Sequence, residues 1–327
     1  MFWNMDCILG ARKHLADNSV DLIICDPPYG IKGDKLDKHY YRDESTVIDG
    51  YVEVPESEYA EFSRKWIQEA ARILRPGGSL YIVSGWSNLC HIMNALNDTN
   101  LTELNHIIWK YNFGVYTSRK FVSSHYHILF YTKPGGTRTF NTFAFFSDSE
   151  RTESGGAANY IDREDVWIIN REYKPGEVKN KNQLPTALLT KMMMYSSKPD
   201  DLICDFFMGS FSTAKVAIGL GRRATGFEVN KKAFDYQMGE LKKIRPGELL
   251  GMMRQPGENK LVNKGKPLDD AEKKMILDDF GEMTGKGMTK KSSIEKLTEK
   301  YGRGYWSIQR MIDAAEPKTE HLSLFSA

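Results

Sequence analysis

The chain has 327 residues, 41% hydrophobic and 27% charged, which are the proportions of an ordinary globular protein long enough for one large α/β domain with an accessory segment. No apolar run approaches spanning length and the amino terminus lacks a secretory leader's basic–apolar–small layout, so a cytoplasmic protein with no membrane partner is expected. The net charge of +2 gives no global affinity for polyanions, and Cys7, Cys25, Cys90 and Cys204 form no CxxC pair, so no disulfide framework and no metal site are expected, only buried reduced thiols near strand ends.

Residues 1–30 read as strand, helix, strand: the apolar MFWNM, the helically spaced DCILGARKHLAD, and the short β-branched VDLIICD. Residues 31–57 are polar, rich in Asp, Lys and Tyr, and without a period; they read as a long loop of the kind that carries function. SEYAEFSRKWIQEAARIL is an amphipathic helix with Ser57 as expected N-cap and Phe62, Trp66, Ala70 and Ile73 on one side. RPGG is expected to end it, and SLYIVSG to form the next strand. The helix SNLCHIMNALND and the strands LNHIIWKY and HYHILFYTK follow. Residues 112–180 are irregular. LPTALLTKMMMYSS is then a helix, DLICDFF a buried strand, MGSFSTAKVAIGLG a Gly/Ser turn opening a helix, and RATGFEVN a strand. Strands alternating with helices predict an α/β fold with a mostly parallel, doubly wound sheet.

The character changes near residue 245. Residues 246–267 read as a Pro/Gly/Asn/Lys linker, and helical stretches at 268–283, 292–301 and 305–315 occupy the segment 268–327. The last two, joined by YGRG, fit a helix-turn-helix with Ile294, Leu297 and Ile308 inside and Tyr305, Trp306, Ser307, Gln309 and Arg310 opening the second helix. A helical hairpin packed on the main domain or on a sister subunit fits equally.

Two constellations carry chemistry. In DLICDFFMGSFSTA a buried strand delivers Asp205 to a small-residue turn, Gly209-Ser210, that opens a helix; such a turn lets a ligand approach the backbone closely. About twenty residues on, GFEVN ends a strand in Glu228, an acid suited to a ribose diol. G-x-G-x-x-G is missing, so a diphosphate is poorly served and an adenosine ligand without phosphate, such as S-adenosylmethionine, fits better. The second constellation is Asp26-Pro27-Pro28-Tyr29-Gly30 at the end of VDLIIC.

DPPYG after a buried strand, with DFFMGSFST and GFEVN downstream, resembles the S-adenosylmethionine-dependent DNA amino-methyltransferases, in the order of their circularly permuted β class. The resemblance covers roughly residues 1–240 and implies a Rossmann-like methyltransferase fold, with a catalytic domain over 1–245 and a target-recognition insert at about 112–180. DPPY is the adenine-N6 form; SPPY is the cytosine-N4 form. By resemblance the catalytic residues are Asp26, Pro27, Pro28 and Tyr29. An aromatic amino nitrogen is a poor nucleophile until acceptors at its hydrogens free its lone pair; the Asp26 carboxylate and the Pro27 carbonyl are suited to that, and Tyr29 offers a face to a flipped base. Asp6, Cys7, Asp26, Asp205, Phe206, Phe207, Gly209, Ser210, Glu228 and Asn230 map to the cofactor site, with S-adenosyl-L-methionine as cofactor. Residues 31–56 become the expected lid.

The sequence departs from the family pattern in places. Asn182-Gln183-Leu184-Pro185-Thr186 stands where His-Pro and Lys-Pro elements are usual, Phe211-Ser212 replaces Gly-Thr, and Tyr126 occupies the place of a frequent Glu. Residues 104–147 contain no Asp or Glu. That basic stretch makes Lys110, Arg119, Lys120, Lys133 and Arg138, together with Arg310, candidates for contacts to double-stranded DNA, and Trp109, Tyr111 and Phe113 candidates to flank an extruded base. Family habit adds a homodimer and either a cognate restriction endonuclease or a solitary enzyme. The alternatives are cytosine-N4 methylation, an RNA substrate, and a DNA-binding regulator on a degenerate methyltransferase fold.

Overall fold

The computed structural model describes residues 1–30, 54–112, 114, 118–147, 150–172, 183–252, 263 and 267–315. They fall into two compact units, Met1–Ala144 with Glu164–Arg254, and Phe145–Arg163 with Gln255–Ala327. Among the described residues no helix is long and apolar enough to cross a membrane.

The first unit begins with β1 (Phe2–Trp3), α1 (Cys7–His14) and β2 (Val20–Cys25). The Asp6 carboxylate accepts from Leu9 N at 2.9 Å and caps α1, while Arg12, Lys13 and His14 complement the dipole at its other end. α2 (Glu56–Ile73) starts from Pro55, two residues earlier than a Ser57 cap would have it; Glu56 and Glu58 favour the first turn electrostatically, and no side chain caps it. β3 (Leu74–Ser84) takes up the Arg75-Pro76-Gly77-Gly78 stretch instead of following it, with a register irregularity against β2. Gly77 has φ +76°, and a Cβ there would lie 2.4 Å from Thr137 O, so the bend requires glycine.

The chain continues through α3 (Leu89–Asn97), β4 (Thr102–Lys110), β5 (His125–Thr132), α4 (Ala158–Asp162, in the second unit), β6 (Val166–Ile168), α5 (Thr186–Ser196), β7 (Leu202–Asp205), α6 (Ser212–Gly219), β8 (Arg223–Phe227) and α7 (Lys231–Leu241). The sheet runs β1-β8-β7-β2-β3-β5-β4-β6. β5 pairs antiparallel with both β3 and β4; the other pairings are parallel. The three residues of β6 sit in the irregular stretch, too short for their periodicity to show.

Alternation along the strands sorts the core. Leu80, Ile82, Ile23 and Cys25 point to one face, where Trp66, Ile67 and Ala70 of α2 pack with Ala11 of α1 and Ile92 of α3. Tyr81, between Leu80 and Ile82, points to the other face; its ring stacks on Phe130 at 4.3 Å and its hydroxyl meets Ser196 Oγ of α5 at 2.7 Å. Cys7, Cys25 and Cys204 are buried, but Cys90 is exposed on α3, unlike the buried thiol expected there.

In the second unit α8 (Asp270–Gly285), α9 (Lys290–Tyr301) and α10 (Tyr305–Ala315) close on Ile276, Ile294, Leu297, Ile308 and Ile312. Gly302 takes φ +59° to end α9, and the next residue, Arg303, is buried and grips Glu272 at 2.6 Å and Pro267 O at 3.0 Å. Arg151, from the middle of the sequence, stands over the Tyr305 ring at 5.8 Å.

β7 and β8 approach each other closely at the carboxyl edge. A Cβ on Gly226 would lie 2.3 Å from Asp205 O and 2.7 Å from Met208 Sδ. Gly226→Ala is expected to lower the urea midpoint, at a cost of about 1–3 kcal/mol for forcing two backbones apart.

Candidate active site

β7 and β2 are neighbours, but the chain leaves them in opposite directions, from β7 to β8 and from β2 to β3. Where strand order reverses in this way the loops diverge and open a crevice at the carboxyl edge. Asp205 ends β7 and Asp26 follows the end of β2, so two acids from distant parts of the sequence face one crevice.

Asp26 accepts a hydrogen bond from Tyr29 Oη at 2.6 Å. Pro27 and Pro28 fix φ and bring no N–H to compete for that carboxylate. Gly30 has φ +63°, and a Cβ there would stand 2.5 Å from the Tyr59 ring. From the β3–α3 connection Asn88 donates to Tyr29 O at 2.6 Å and Gly30 O at 3.3 Å, pinning the turn from outside its own sequence. Burial raises the Asp26 carboxyl to about 7; the Tyr29 hydrogen bond opposes the rise, Asp205 adds to it, and the Arg171 cation opposes it.

Behind Tyr29 stands an aromatic wall. Tyr126, on β5, stacks with Tyr29 at 5.7 Å and with Trp109 at 5.5 Å, and Tyr111 lies 5.4 Å from it. Arg171, just past β6, donates to Tyr126 Oη at 3.0 Å and lies 5.1–5.9 Å from the Tyr111, Tyr126 and Trp109 ring centroids. Tyr29, Trp86, Asn88, Tyr111, His125 and Tyr126 line a pocket of about 170 Å³ here. Nothing in the sequence singled out Asn88 or Arg171. Asn88 reads as an ordinary loop residue, and Arg171 becomes visible only once β6 pairs with β4.

The other half of the crevice follows the glycine turn. Asp205 Oδ1 accepts from Phe207 N at 2.9 Å, and burial raises its carboxyl to about 6 against hydrogen bonds from Thr213 and the backbone. Glu228 accepts from Gly209 N at 2.8 Å and Asn230 N at 2.8 Å, and burial raises it too. Asn230 caps α7 through Ala233 N, and Ser210 Oγ lies 2.7 Å from Ser212 Oγ. Phe207 is half-buried, edge-on to Trp66 at 5.2 Å. Two residues expected at the cofactor site have buried side chains. The Phe206 ring is a core residue against Trp66 and Phe227, and the Cys7 thiol is buried in the same cluster, its pKa pushed up by burial. Asp6 is committed to capping α1 at one oxygen.

The cations divide by sheet edge. Lys110 ends β4 at the carboxyl edge, and Arg119 and Lys120 are exposed on the loop from β4 to β5 at that same edge. Lys133 and Arg138 follow β5 and so start from the opposite edge, where Lys133 pairs with Gly77 and Gly78. Lys133 Nζ caps α2 through Ala71 O at 2.7 Å, and Arg138 lies over Phe140 at 5.0 Å. Trp109 is buried with Nε1 bonded to Ile169 O at 2.8 Å, so it backs the pocket instead of flanking a base. Arg310 is exposed on α10 of the second unit. Phe113, Asn182 and residues 31–53 of the expected lid lie outside the described residues.

Comparison with known proteins gives the family and the fold. A family model described as DNA methylase, spanning N6 and N4 amino methylation, matches residues 20–238. The type II methyltransferase M.HpaI of Haemophilus parainfluenzae is 30% identical over 68% of this chain and 68% of its own length. M.HinfI of Haemophilus influenzae is 27% identical over 90% of this chain and 86% of its own. Among solved structures, the M1.HpyAVI complex with S-adenosylmethionine superposes with a TM-score of 0.52 at 20% identity, covering 74% of this chain and 98% of that one. The cytosine-N4-specific PvuII DNA methyltransferase gives 0.55 at 13% identity, covering 77% and 93%. The chain belongs to the N6/N4 DNA methylase family, and its fold is the Rossmann-like fold of those enzymes.

Asp26 should also be visible in stability. Its carboxyl is raised to about 7, against an unfolded value near 3.8. Between those pH values the folded chain holds more protons than the unfolded one, so this group removes stability as pH rises from about 4 to 7, and the loss then levels off. Asp26→Asn keeps the acceptor for Tyr29 and loses the charge. It is expected to be more stable than the parent above pH 7, by about 4 kcal/mol, and to converge with it near pH 4.

Proposed function

We propose that this DNA methyltransferase transfers a methyl group from S-adenosyl-L-methionine to the N6 amino group of an adenine flipped out of a specific short duplex sequence. The observation that carries the reading is the pinned DPPY turn: an ionisable acceptor, Asp26, held 2.6 Å from Tyr29 Oη at a strand-order reversal.

The crevice fits that methyl donor by its chemistry. Asp26, Asp205 and Glu228 place three carboxylates around it, which repel a diphosphate and favour a cation such as a sulfonium. Glu228 is fixed by Gly209 N and Asn230 N and keeps lone pairs for ribose hydroxyls. When bound, the cofactor supplies an electrophilic methyl. The chain's part is positional and electrostatic: Asp26 and the Pro27 carbonyl accept the hydrogens of the amino group, which returns its lone pair to nitrogen, and the Tyr29 face holds the base. A paired amino group is inaccessible, so the base must leave the helix. Lys110, Arg119 and Lys120, on the same edge, suit the phosphates on either side. The DPPY form, the adenine-N6 variant of the motif, favours adenine over cytosine.

Nucleoside mass spectrometry of DNA from expressing cells should show N6-methyladenine; N4-methylcytosine in its place would sink the adenine assignment. Asp26→Ala should abolish transfer, a loss of at least about 10²-fold, with DNA binding retained. Asp26 must be ionised to accept, so kcat should rise with pH through about 7. Arg171→Met removes a cation that holds that value down, and should move the acid limb upward by about half a unit to one unit, with Arg171→Lys in between.

A further inference from the structure

Among the described residues Phe121 is the most exposed large apolar side chain, at 97%. It lies on the loop from β4 to β5, directly after the exposed Arg119 and Lys120. The two arms of that loop are closed against each other. Tyr111 N donates to Ser124 O at 3.0 Å, and a Cβ on Gly114 would meet Val122 Cγ1 at 2.2 Å and Ser123 O at 2.7 Å. Phe121 therefore stands beyond the closed part. Tyr111 and Ser123 of the same loop, with His125 and Tyr126 at the start of β5, line the pocket beside Tyr29. An aromatic ring here stands in water next to two cations, in a stretch without acids. A polyanion with an apolar interior satisfies both of its features, and stacked duplex DNA is one: cations meet phosphates while the ring enters between bases.

We propose that Phe121 is the wedge that enters the base stack as the target base leaves it, with Arg119 and Lys120 on the adjoining phosphates. This rests on the reading that the substrate is a base flipped from duplex DNA, and it names the residue that replaces the lost stacking. The wedge lowers the cost of opening a paired site and contributes little where the site is already open.

The test uses the full-length enzyme on duplexes carrying the site mapped by modification-aware sequencing. One duplex is fully paired; a second has a mismatch opposite the target base. Phe121→Ala is expected to lose about tenfold or more in kcat/KM on the paired duplex, and to come within about threefold of the parent enzyme on the mismatched one. Phe121→Trp should retain activity on both. Equal losses on the two duplexes, or no loss on either, overturn the wedge. A changed oligomeric state in Phe121→Ala with an unaltered paired-to-mismatched ratio overturns it in favour of a contact with a second copy. A parent enzyme that methylates neither duplex, and no other DNA, fails the underlying reading instead, so the two failures are told apart.

Discussion

The site depends on one strand pairing, that of β2 with β7. They align in parallel through Leu22↔Ile203 and Ile23↔Cys204, although some 181 residues separate the segments. Asp21 holds the register from the amino end: one carboxylate oxygen accepts from Leu202 N at 2.8 Å and the other from Arg75 Nε on β3. With the register set there, the two strands bring Asp26 and Asp205 to the carboxyl edge together. A slip of one residue would turn each acid to the other face of its strand. That geometry, more than any local motif, makes two remote sequences into one crevice.

Burying acids in a partly dry crevice carries a desolvation cost, visible in the raised carboxyls of Asp26, Asp205 and Glu228, and repulsion from a neighbouring acid adds to it at Asp26 and Asp205. The protein offsets it indirectly. A cation placed straight on Asp26 would occupy the lone pairs that the proposed amino acceptor role needs. Arg171 bonds Tyr126 instead, which stacks on Tyr29, which donates to Asp26. The charge reaches Asp26 through space. The Tyr126 hydroxyl, itself raised by burial, is held neutral as the hinge of this chain. A tyrosine where the family often carries a glutamate thus has a physical sense here: another carboxylate would add to the crowding.

Much of this was legible in the residues because it is local. The apolar run ending in Asp26, the glycine turn after Asp205 and the acid at Glu228 each state their place on a strand by periodicity and turn chemistry, and the structure puts all three on one edge. What was not legible depends on pairing. Arg171 and Asn88 acquire their roles from neighbours far along the chain. Lys133 and Arg138 belong to the same acid-free stretch as Lys110, yet an antiparallel β5 carries them towards the other edge. Composition reports charge along the sequence; strand direction decides which way it faces. The grouping of residues 145–163 with the carboxyl-terminal helices is likewise a tertiary fact with no sequence signal.

Phe211 shows how far the motif can drift without loss of the geometry. It takes the position of a common glycine and keeps a glycine-like backbone, at φ 59°, ψ 24°. That conformation costs a non-glycine residue about 1–2 kcal/mol. The ring is fully buried between Phe2 and Phe234, at 5.7 and 5.8 Å, and burying a phenylalanine returns about 1.5–3 kcal/mol. The exchange is close to even or favourable, so the turn can hold its shape with a bulky residue. Its working groups are backbone: Gly209 N reaches Glu228, and Met208 N reaches Phe227 O. A motif whose function lies in its N–H groups tolerates any side chain that packs on the far side, and here that side chain also ties β1 and α7 to the turn.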